Sequence, residues 1–467
     1  MQVATFLAYL AAGALFIIGI RRLRTPETAR SGNTLAALGM TIALVATLFV
    51  IEFRGLLLIG IAALLGAIIG AISAQRVKMT AMPQMVAAYN GVGGGAAALI
   101  ALSEFYHMQT GGHGSFVAAI TVPLTVLIGS VSFAGSAVAF AKLQEIAFSG
   151  SVSFPLQQVV NALLFVGILV LAVNAILGGA VLPFLSPVAS VVTILGASLL
   201  LGILLVIPIG GADMPIVISL LNAFTGLAAA ASGFVLENYI LIIGGTIVGA
   251  SGTILTRLMS SALGRPLGKI IFAGIAAAGG SKQELEERPV HDASPDEVGG
   301  YLADEVDKVV IVPGYGLAVA QAQGAMHELM EALESRGKKV LFGIHPVAGR
   351  MPGHMNVLLT EAGIPYDKLY DLEDINPELE DTDAAIIVGA NDVVNPAAND
   401  PEQDSPISGM PILNVEAAER VIFIKRSLSP GFAGVDNPLF YETDKTMMLF
   451  SDAKQGLQDV TSALRNS

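Results

Sequence analysis

The stretch KVVIVPGYGLAVA, residues Lys308–Ala320, decides the fold of the carboxyl-terminal part of this chain. The β-branched residues after Lys308 predict a buried strand, and the Pro-Gly-Tyr-Gly sequence at 313–316 predicts a sharp turn. From Leu317 to Met330 an Ala- and Gln-rich segment predicts a helix. Strand, glycine turn and helix start in this order are typical of a dinucleotide cradle, where N–H groups at the helix start face the pyrophosphate.

Composition indicates that much of the chain lies in a membrane. Of its 467 residues, 54% are hydrophobic and 13% are charged. Residues 1–270 hold 11 Lys and Arg against 6 Asp and Glu, whereas the remainder holds 14 against 32. The acidic remainder lacks the basic face that a nucleic acid requires, so nucleic acid is excluded as a partner. The absence of cysteine from the sequence excludes disulfides and thiolate catalysis.

Apolar runs predict membrane-spanning helices, since a bilayer core needs about 20 apolar helical residues. The nine predicted spans are 3–20, 35–52, 55–74, 83–103, 116–140, 156–178, 187–208, 214–235 and 238–259. Lys and Arg concentrate in the loops after the odd-numbered spans, which places the amino terminus outside and the carboxyl-terminal half in the cytoplasm. Arginines follow the first apolar run rather than precede it, so we expect a retained span and not a cleaved signal peptide.

The predicted fold class is an α-helical multi-pass membrane bundle of about nine spans followed by a Rossmann-like α/β parallel-sheet domain. The domains are predicted at 1–270 for the bundle, 271–298 for a linker that loses apolar periodicity, and 299–467 for the nucleotide-binding domain. Small residues such as Gly94, Gly129 and Gly249 predict helices that pack closely. A buried amide such as Asn90 more often joins helices than conducts ions, while Asp213 stays open between the two roles.

The end of the second predicted strand, Lys339–Ile344, indicates which dinucleotide would bind. Enzymes that select NAD place an acidic residue here to hold the ribose 2′-hydroxyl. This chain instead has His345 and, further on, Arg350, and a guanidinium suits a 2′-phosphate. The sequence therefore favours NADP over NAD.

A second group of anion-binding side chains follows a later predicted strand, Val421–Ile424. Lys425, Arg426 and Ser427 come together at its carboxyl end, where ligands bind in open α/β sheets. Alone they would be interpreted as a solvated strand end; together with Arg350 and the glycine turn they predict a phosphate clamp. Two glycines around an aromatic residue, in Gly431–Gly434, predict a lid over the nucleotide, the alternative being an ordinary surface loop.

Several long segments identify a family. They are MPQMVAAYN at 82–90, SFAGSAVAFAKL at 132–143, IGGADMPIVISLLNAFTG at 209–226, PGYGLAVAQAQ at 313–323 and IKRSLSPGFAGVDNPLF at 424–440. With these segments the chain resembles the beta-subunit family of proton-translocating NAD(P) transhydrogenases. The resemblance implies hydride transfer from NADH to NADP⁺ coupled to inward proton movement. It also implies NADP(H) on this chain, NAD(H) on an alpha subunit, a dimer of alpha-beta protomers, and the bacterial inner membrane.

The resemblance also implies roles for individual residues. The predicted cofactor-binding residues are Gly314, Tyr315, Gly316, Val319, His345, Arg350, Lys425, Arg426, Ser427, Gly431, Phe432 and Ala433, and Asp392 is expected near the nicotinamide. The predicted proton path and coupling residues are Asn90, Ser136, Asp213, Asn222, Ser251 and Gly252. No metal site is predicted, because His345 and His354 lack ligand spacing.

One departure from the family leaves two alternatives. Some relatives carry a His at the position of Asn90, and an amide does not titrate. Either helices of the partner subunit supply the titrating group, or Asn90 and Asn222 gate a chain of waters. The alternative function is a channel or transporter gated by NADP(H) without redox chemistry, although the sequence has no potassium-type filter.

Overall fold

A computed structural model describes most of the chain. The described residues are 2–50, 55–77, 81–111, 116–144, 146, 152, 154–210, 213–262, 267–268, 288–346, 348–349, 353–399, 407–429, 431 and 433–467. Two of the predicted site residues, Arg350 and Phe432, and linker residues 271–287 lie outside them. The chain divides into two compact units. Among the described residues, the first unit holds apolar helices within 2–210 and 216–257, and the second holds 213–215, 258–262, 267–268 and the sheet within 288–467. The predicted domain boundaries at 270 and 298 stay predictions.

Nine helices in the described residues are long and apolar enough to cross a membrane. They are α1 Gln2–Arg22, α2 Pro26–Leu48, α3 Leu56–Arg76, α4 Met82–Gly111, α5 Phe116–Leu143, α6 Gln157–Ile176, α7 Pro187–Val206, α8 Met214–Val235 and α9 Tyr239–Ala262. This part of the predicted fold class is confirmed.

Two helices extend eight or nine residues beyond their predicted spans. Helix α2 begins at Pro26 rather than at 35. Thr25 before it is extended, and the proline occupies the first helical turn, where its missing N–H costs nothing. Helix α4 continues to Gly111 rather than ending at 103. In both cases the helix outruns its apolar stretch, which hydropathy alone does not detect.

The predicted close packing of helices at glycine is confirmed. A Cβ atom on Gly129 of α5 would lie 2.5 Å from the carbonyl oxygen of Gly94 on α4. A Cβ atom on Gly226 of α8 would likewise lie 2.5 Å from the backbone nitrogen of Gly249 on α9. Helices touch backbone to backbone at both places, as small residues permit in lipid.

The second unit contains a six-stranded parallel sheet within the described residues. Its strands are β1 Lys308–Pro313, β2 Lys339–Ile344, β3 Leu369–Asp371, β4 Ala384–Val388, β5 Arg420–Lys425 and β6 Thr446–Phe450, in the order β3-β2-β1-β4-β5-β6. All neighbouring strands are parallel. The chain reverses its direction of winding between β1 and β4, and ligands of such sheets bind at that switch point. The predicted Rossmann-like domain is confirmed.

Six α-helices accompany the sheet in the part of the chain that the structure describes. They are α10 Pro295–Asp304, α11 Tyr315–Val319, α12 Gln323–Ser335, α13 His354–Glu361, α14 Leu372–Leu379 and α15 Ala453–Asn466. The prediction of one continuous helix from 317 to 330 is wrong. Gln321 adopts a left-handed φ of 51°, and the N–H of Ala322 donates to the Leu317 carbonyl at 3.1 Å, which closes α11 as a Schellman-type end.

The core of the second unit includes strand residues together with residues of the helices and loops that cover the sheet. Val310, Val312, Ile387 and Phe423 are fully buried in one cluster. Such continuous apolar strands are typical of a parallel sheet covered by helices. The chain entering the unit joins the sheet too, because Asp292 forms a parallel bridge with Met448 of β6.

Candidate functional site

The glycine turn after β1 packs directly on the loop after β4. The N–H of Gly314 donates to the Val388 carbonyl at 2.8 Å, and the N–H of Gly316 donates to the Gly389 carbonyl at 2.9 Å. A Cβ atom on Gly314 would overlap the Gly389 carbonyl oxygen and would lie 2.5 Å from the Ala390 Cα. Gly389 itself has a φ of 65°, in the left-handed region that favours glycine. These glycines are therefore required by the contact between the two loops.

Because of that contact, two backbone N–H groups of the turn already have acceptors within the protein. The Gly316 N–H bonds the β4 loop, and the Leu317 N–H donates to the Gly314 carbonyl at 3.1 Å. Tyr315 is half-buried, and Val319, at the third glycine position of the dinucleotide motif, is 52% exposed. The role of this turn at a pyrophosphate stays a prediction.

Asp392 joins the β4 loop to the predicted lid. One oxygen of its carboxylate, Oδ1, accepts from Asn391 Nδ2 at 3.0 Å, and the other, Oδ2, accepts from the backbone N–H of Ala433 at 3.0 Å. A Cβ atom on Gly431 would lie 2.7 Å from the Asp392 Cγ. The structure thus brings together three predicted site residues, Asp392, Gly431 and Ala433. The backbone of the predicted lid contacts the Asp392 carboxylate.

The predicted phosphate clamp lies at the carboxyl end of β5. The ammonium of Lys425 donates to the Ser429 carbonyl and lies 4.7 Å from the centre of the Phe440 ring. Burial lowers the pKa of Lys425 to about 8, against the opposing pull of Asp392 and Asp436. Ser427 Oγ donates to Ser429 Oγ at 3.0 Å, and Arg426 is exposed. Two cations and a hydroxyl at one strand end are a donor set that fits a phosphate.

His345 lies buried at the end of β2. Its Nε2 lies 2.7 Å from the Pro411 carbonyl oxygen, which can only accept, so Nε2 carries the proton. Burial lowers the pKa of His345 to about 4, although the Pro411 bond acts in the opposite direction. His345 is therefore neutral near pH 7 and ties the β2 end to the segment around Pro411. Its predicted contact with the cofactor stays a prediction.

A polar cluster joins α4, α5 and α8 inside the helical unit. Asn90 Nδ2 donates to Ser136 Oγ at 2.9 Å and to Ser132 Oγ at 3.2 Å. Ser132 Oγ in turn donates to the Leu221 carbonyl at 2.9 Å and lies 2.5 Å from Thr225 Oγ1. The Asn90 Oδ1 is buried and has no hydrogen-bond partner among the described residues. The structure thus brings together two predicted residues, Asn90 and Ser136.

The other predicted path residues do not join this cluster through the described hydrogen bonds. Gly252 packs on α8, where a Cβ atom would lie 3.0 Å from the Ala223 Cβ. Ser251 is exposed and donates to the Val248 carbonyl of its own helix at 3.3 Å. Asn222 is half-buried, and Asp213 is buried immediately before α8.

Sequence reasoning missed several polar partners. Thr225 completes the Asn90 cluster, and Thr256 donates to Ser219 Oγ at 2.9 Å across α8 and α9. Asn391 orients the Asp392 carboxylate. Asn391 could have been found, because it lies beside Asp392 at a strand end. The helix partners could not, because a single sequence does not show which helix faces are in contact.

Comparisons with known proteins agree with this architecture. The family model for the NAD(P) transhydrogenase beta subunit matches residues 5–463. The NAD(P) transhydrogenase subunit beta of Rhodospirillum rubrum is 43% identical over 471 residues, covering 98% of this chain and 99% of that protein. The same subunit from a designated strain of that species gives the same identity and coverage. The chain therefore belongs to the NAD(P) transhydrogenase beta-subunit family.

Proposed function

We propose that this chain is the beta subunit of a proton-translocating NAD(P) transhydrogenase, which couples hydride transfer from NADH to NADP⁺ to inward proton movement. The observation that carries the proposal is the family match from residue 5 to 463, which runs through both the membrane-type helices and the parallel sheet. An alpha subunit binds NAD(H), and two alpha-beta protomers assemble in the bacterial inner membrane. The sheet domain faces the cytoplasm.

NADP(H) binds at the carboxyl ends of the strands in the sheet domain. Lys425, Arg426 and Ser427 hold the 2′-phosphate together with Arg350, and the donor set at the β5 end supports this assignment. The turn containing Gly314, Tyr315, Gly316 and Val319 lies under the pyrophosphate, with His345 behind it. The segment Gly431–Ala433, including Phe432, closes over the nucleotide.

When bound, the two nicotinamides supply the chemistry, since one ring passes a hydride to the other without an acid or a base. The protein orients the rings and excludes water between them. Asp392 is the residue through which this chain controls the site, because its carboxylate binds the lid backbone at Ala433. The lid can open only when the hydrogen bond between Asp392 and Ala433 breaks. Nucleotide exchange therefore depends on how often this bond is broken.

Protons pass through the helical unit by the cluster around Asn90 and Ser136, with Asn222, Ser251 and Gly252 on the adjoining helices. Asp213 couples this passage to the nucleotide site. The buried Asn90 Oδ1 is an acceptor that can hold a water, which favours a chain of waters gated by the amide. The titrating group then belongs to the partner subunit's helices or to the water chain itself.

The test is reconstitution of the chain with its alpha subunit in vesicles, followed by assay of NADPH formation and of internal pH. We expect NADH-dependent reduction of NADP⁺ that accelerates under an inward proton gradient. Ion flux that responds to NADP(H) without any hydride exchange would instead establish the gated channel. Asp213→Asn should lose proton movement and its coupling, and wild-type values for both would remove Asp213 from the mechanism.

A further inference from the structure

Asn161 of α6 is a buried amide whose hydrogen bonds are not made by the protein. Its side chain is 5% exposed, and neither its Oδ1 nor its Nδ2 has a hydrogen-bond partner among the residues that the structure describes. Asn174 on the same helix differs, because its Nδ2 donates to Ser190 Oγ at 2.9 Å and its Oδ1 accepts from the Leu182 N–H at 2.6 Å. An unpaired amide in apolar surroundings is strongly unfavourable. Asn161 therefore needs a ligand.

Two buried serines on the neighbouring helices are in the same condition. Ser130 of α5 is 2% exposed and Ser198 of α7 is fully buried, and neither hydroxyl has a partner within the described part of the chain. A serine in a helix can donate to the carbonyl four residues earlier, as Ser190 does to Ser186 at 3.1 Å. Ser130 and Ser198 make no such bond, so their hydroxyls can bind a ligand too.

The contacts between α6 and α7 fix the level of Asn161. Gln157 Nε2, at the start of α6, donates to the Leu204 carbonyl near the end of α7 at 2.8 Å. The bond from Asn174 joins the end of α6 to the start of α7, so the two helices are antiparallel. Asn161 follows Gln157 by four residues and shares its face, and each residue advances a helix by about 1.5 Å. Asn161 thus lies opposite the turn of α7 that contains Ser198.

The contacts between α5 and α7 bring the two serines to one level. A Cβ atom on Gly202 of α7 would lie 3.1 Å from the Ala134 Cβ of α5. The two helices are parallel, because the Lys142 ammonium at the end of α5 bonds a carbonyl just past the end of α7. Ser130 lies four residues before Ala134, and Ser198 lies four residues before Gly202. Residues with this spacing share a helix face, so the two serines lie on facing sides of the contact.

The three helices meet around these side chains. Helices α5, α6 and α7 share one buried apolar cluster, to which they contribute Val131, Ile168 and Leu201. Asn161, Ser130 and Ser198 lie at this cluster within about one helical turn of each other, and we call them the amide–serine site. An apolar core that contains three polar side chains without protein partners is a place for a bound polar molecule.

The hydrogen-bonding capacity of the amide–serine site identifies its ligand. The Asn161 Nδ2 can only donate and its Oδ1 can only accept, whereas a serine hydroxyl does either. A cation would bind Oδ1 and leave Nδ2 unpaired, and an anion would do the reverse. Water both donates and accepts, and a buried water makes about three hydrogen bonds to groups that are otherwise unpaired. Water is therefore the ligand that fits this site.

The amide–serine site is separate from the cluster around Asn90. Ser132 belongs to that cluster and donates to the Leu221 carbonyl of α8 at 2.9 Å. Ser130 precedes Ser132 by two residues, which turns its side chain about 200° around the axis of α5. Helix α5 thus has the Asn90 cluster on one side and the amide–serine site on the other.

We propose that Asn161, Ser130 and Ser198 bind internal water where α5, α6 and α7 meet, and that this water joins the three helices by hydrogen bonds. The site goes beyond the proposed function, because neither hydride transfer nor the Asn90 cluster uses it. It also explains why a membrane helix retains a buried amide that no protein group bonds.

The test is solid-state NMR of the full chain, assembled with its alpha subunit in lipid vesicles and labelled with ¹⁵N-asparagine. Magnetisation transfer from water to the side-chain amides is measured at short mixing times. We expect transfer to the Asn161 amide and none to the Asn174 amide, which is bonded to protein groups. Loss of the signal in Asn161→Leu assigns it; if that variant does not fold, Asn161→Gln removes the signal instead. Absence of transfer to Asn161 in the wild type would overturn the proposal.

Variants of the serines test whether the three side chains share one water site. Ser130→Ala and Ser198→Ala should each reduce the transfer to the Asn161 amide at least twofold, because each removes a bond that holds the water. Thr193→Val is the matched control, since Thr193 is exposed on α7 and donates to the Ala189 carbonyl of its own helix at 2.8 Å. Transfer that stays at the wild-type level in both serine variants would contradict a shared site.

The sign of a stability change provides a second measurement. Asn161→Leu replaces the amide with an apolar group of similar size. If the amide were unpaired, this variant would be more stable than the wild type; if the amide binds water, the variant loses those bonds and is less stable. We expect its Tm in detergent to fall by about 3 °C. A rise in Tm would overturn the proposal. Neither measurement uses a nucleotide, so failure of hydride exchange would refute the proposed function alone.

Discussion

Glycine brings backbones into contact in both units of this protein, but it does so between different elements. In the helical unit, Gly94 and Gly129 lie on the faces of two long helices. In the sheet unit, Gly314 and Gly389 lie in loops whose ends are fixed by the β1–β4 ladder. Two helices in lipid can separate slightly to admit a methyl group, whereas two loops held by adjacent strands cannot. The same residue type is thus a packing preference in one unit and a geometric requirement in the other.

The largest effect is expected at the loop contact. Gly314→Ala places a methyl group against the backbone of Gly389 and Ala390, and should cost about 3 kcal/mol of unfolding free energy. Calorimetric unfolding of the full chain in detergent measures this cost. The control is Gly324→Ala in the first turn of α12, where a Cβ atom would meet nothing within 4 Å; it should stabilise by about 0.5 kcal/mol. Equal effects at the two positions would show that the loops are not in tight contact.

A smaller effect is expected where helices touch. Gly129→Ala should cost about 2 kcal/mol, because α4 and α5 can move apart by a few tenths of an ångström. The same unfolding measurement applies. Gly60→Ala on α3, where the added methyl would meet nothing within 4 Å, is the matched control and should be neutral. A cost at Gly129 as large as that at Gly314 would contradict the distinction between the two units.

Lys425 is expected to distinguish the two nucleotides rather than to stabilise the fold. Lys425→Met removes a charge that would face the 2′-phosphate, and should weaken NADPH binding about tenfold, or about 1.4 kcal/mol, without changing NADH binding. Calorimetric titration measures both affinities. Lys454→Met, at an exposed lysine of α15, is the control. An equal loss for NADPH and NADH would place Lys425 away from the 2′-phosphate.

The pH dependence follows from the lowered pKa of Lys425, which lies at about 8 in the protein without nucleotide. A bound phosphate favours the charged amine, so affinity is full below that pKa and falls as pH rises through it. We expect NADPH affinity to fall about fivefold between pH 7 and pH 9, and to approach the loss seen in Lys425→Met at higher pH. Lys425→Arg should flatten this decline, since a guanidinium stays charged throughout. A decline that persists in the arginine variant would assign the titration to another group.

The smallest effect on stability is expected at Asn90. Asn90→Leu removes two bonds to serine hydroxyls and should cost less than about 1 kcal/mol, as is usual for hydrogen bonds between helices in membranes. Proton movement in reconstituted vesicles should nevertheless be lost. Asn174, which donates to Ser190 Oγ at 2.9 Å and accepts from the Leu182 N–H at 2.6 Å, provides the contrast. Asn174→Leu should cost at least as much stability and leave proton movement intact.

The two units also differ in how far the sequence predicted them. The nine helices followed from apolar length alone, because lipid requires long uninterrupted helices. Strands β1, β2 and β5 followed from apolar and β-branched residues between turns. Strand β6, with the sequence TMMLF, was missed because Met carries no strand preference, and β3 was missed because it has only three residues.

The candidate site was predicted in part for the same physical reasons. Lys425 could be found because ligand-binding residues gather at the carboxyl ends of parallel strands. Asp392 was predicted only through the resemblance to the family. The break in the helix at Gln321 could not be predicted from the sequence. A glutamine has no local preference for the left-handed conformation, which here depends on the packing of α11 and α12. The Asn90 cluster needed knowledge of which faces of α4, α5 and α8 meet.

The bridge between Asp292 and Met448 protects the β6 edge of the sheet. Strand β6 is the last strand in the sheet order, and the residues around Asp292 occupy Met448 backbone groups that would otherwise be open to a foreign strand. A soluble fragment that begins at Pro295 would leave those groups exposed and prone to self-association. A fragment that begins at Arg288 would keep them covered.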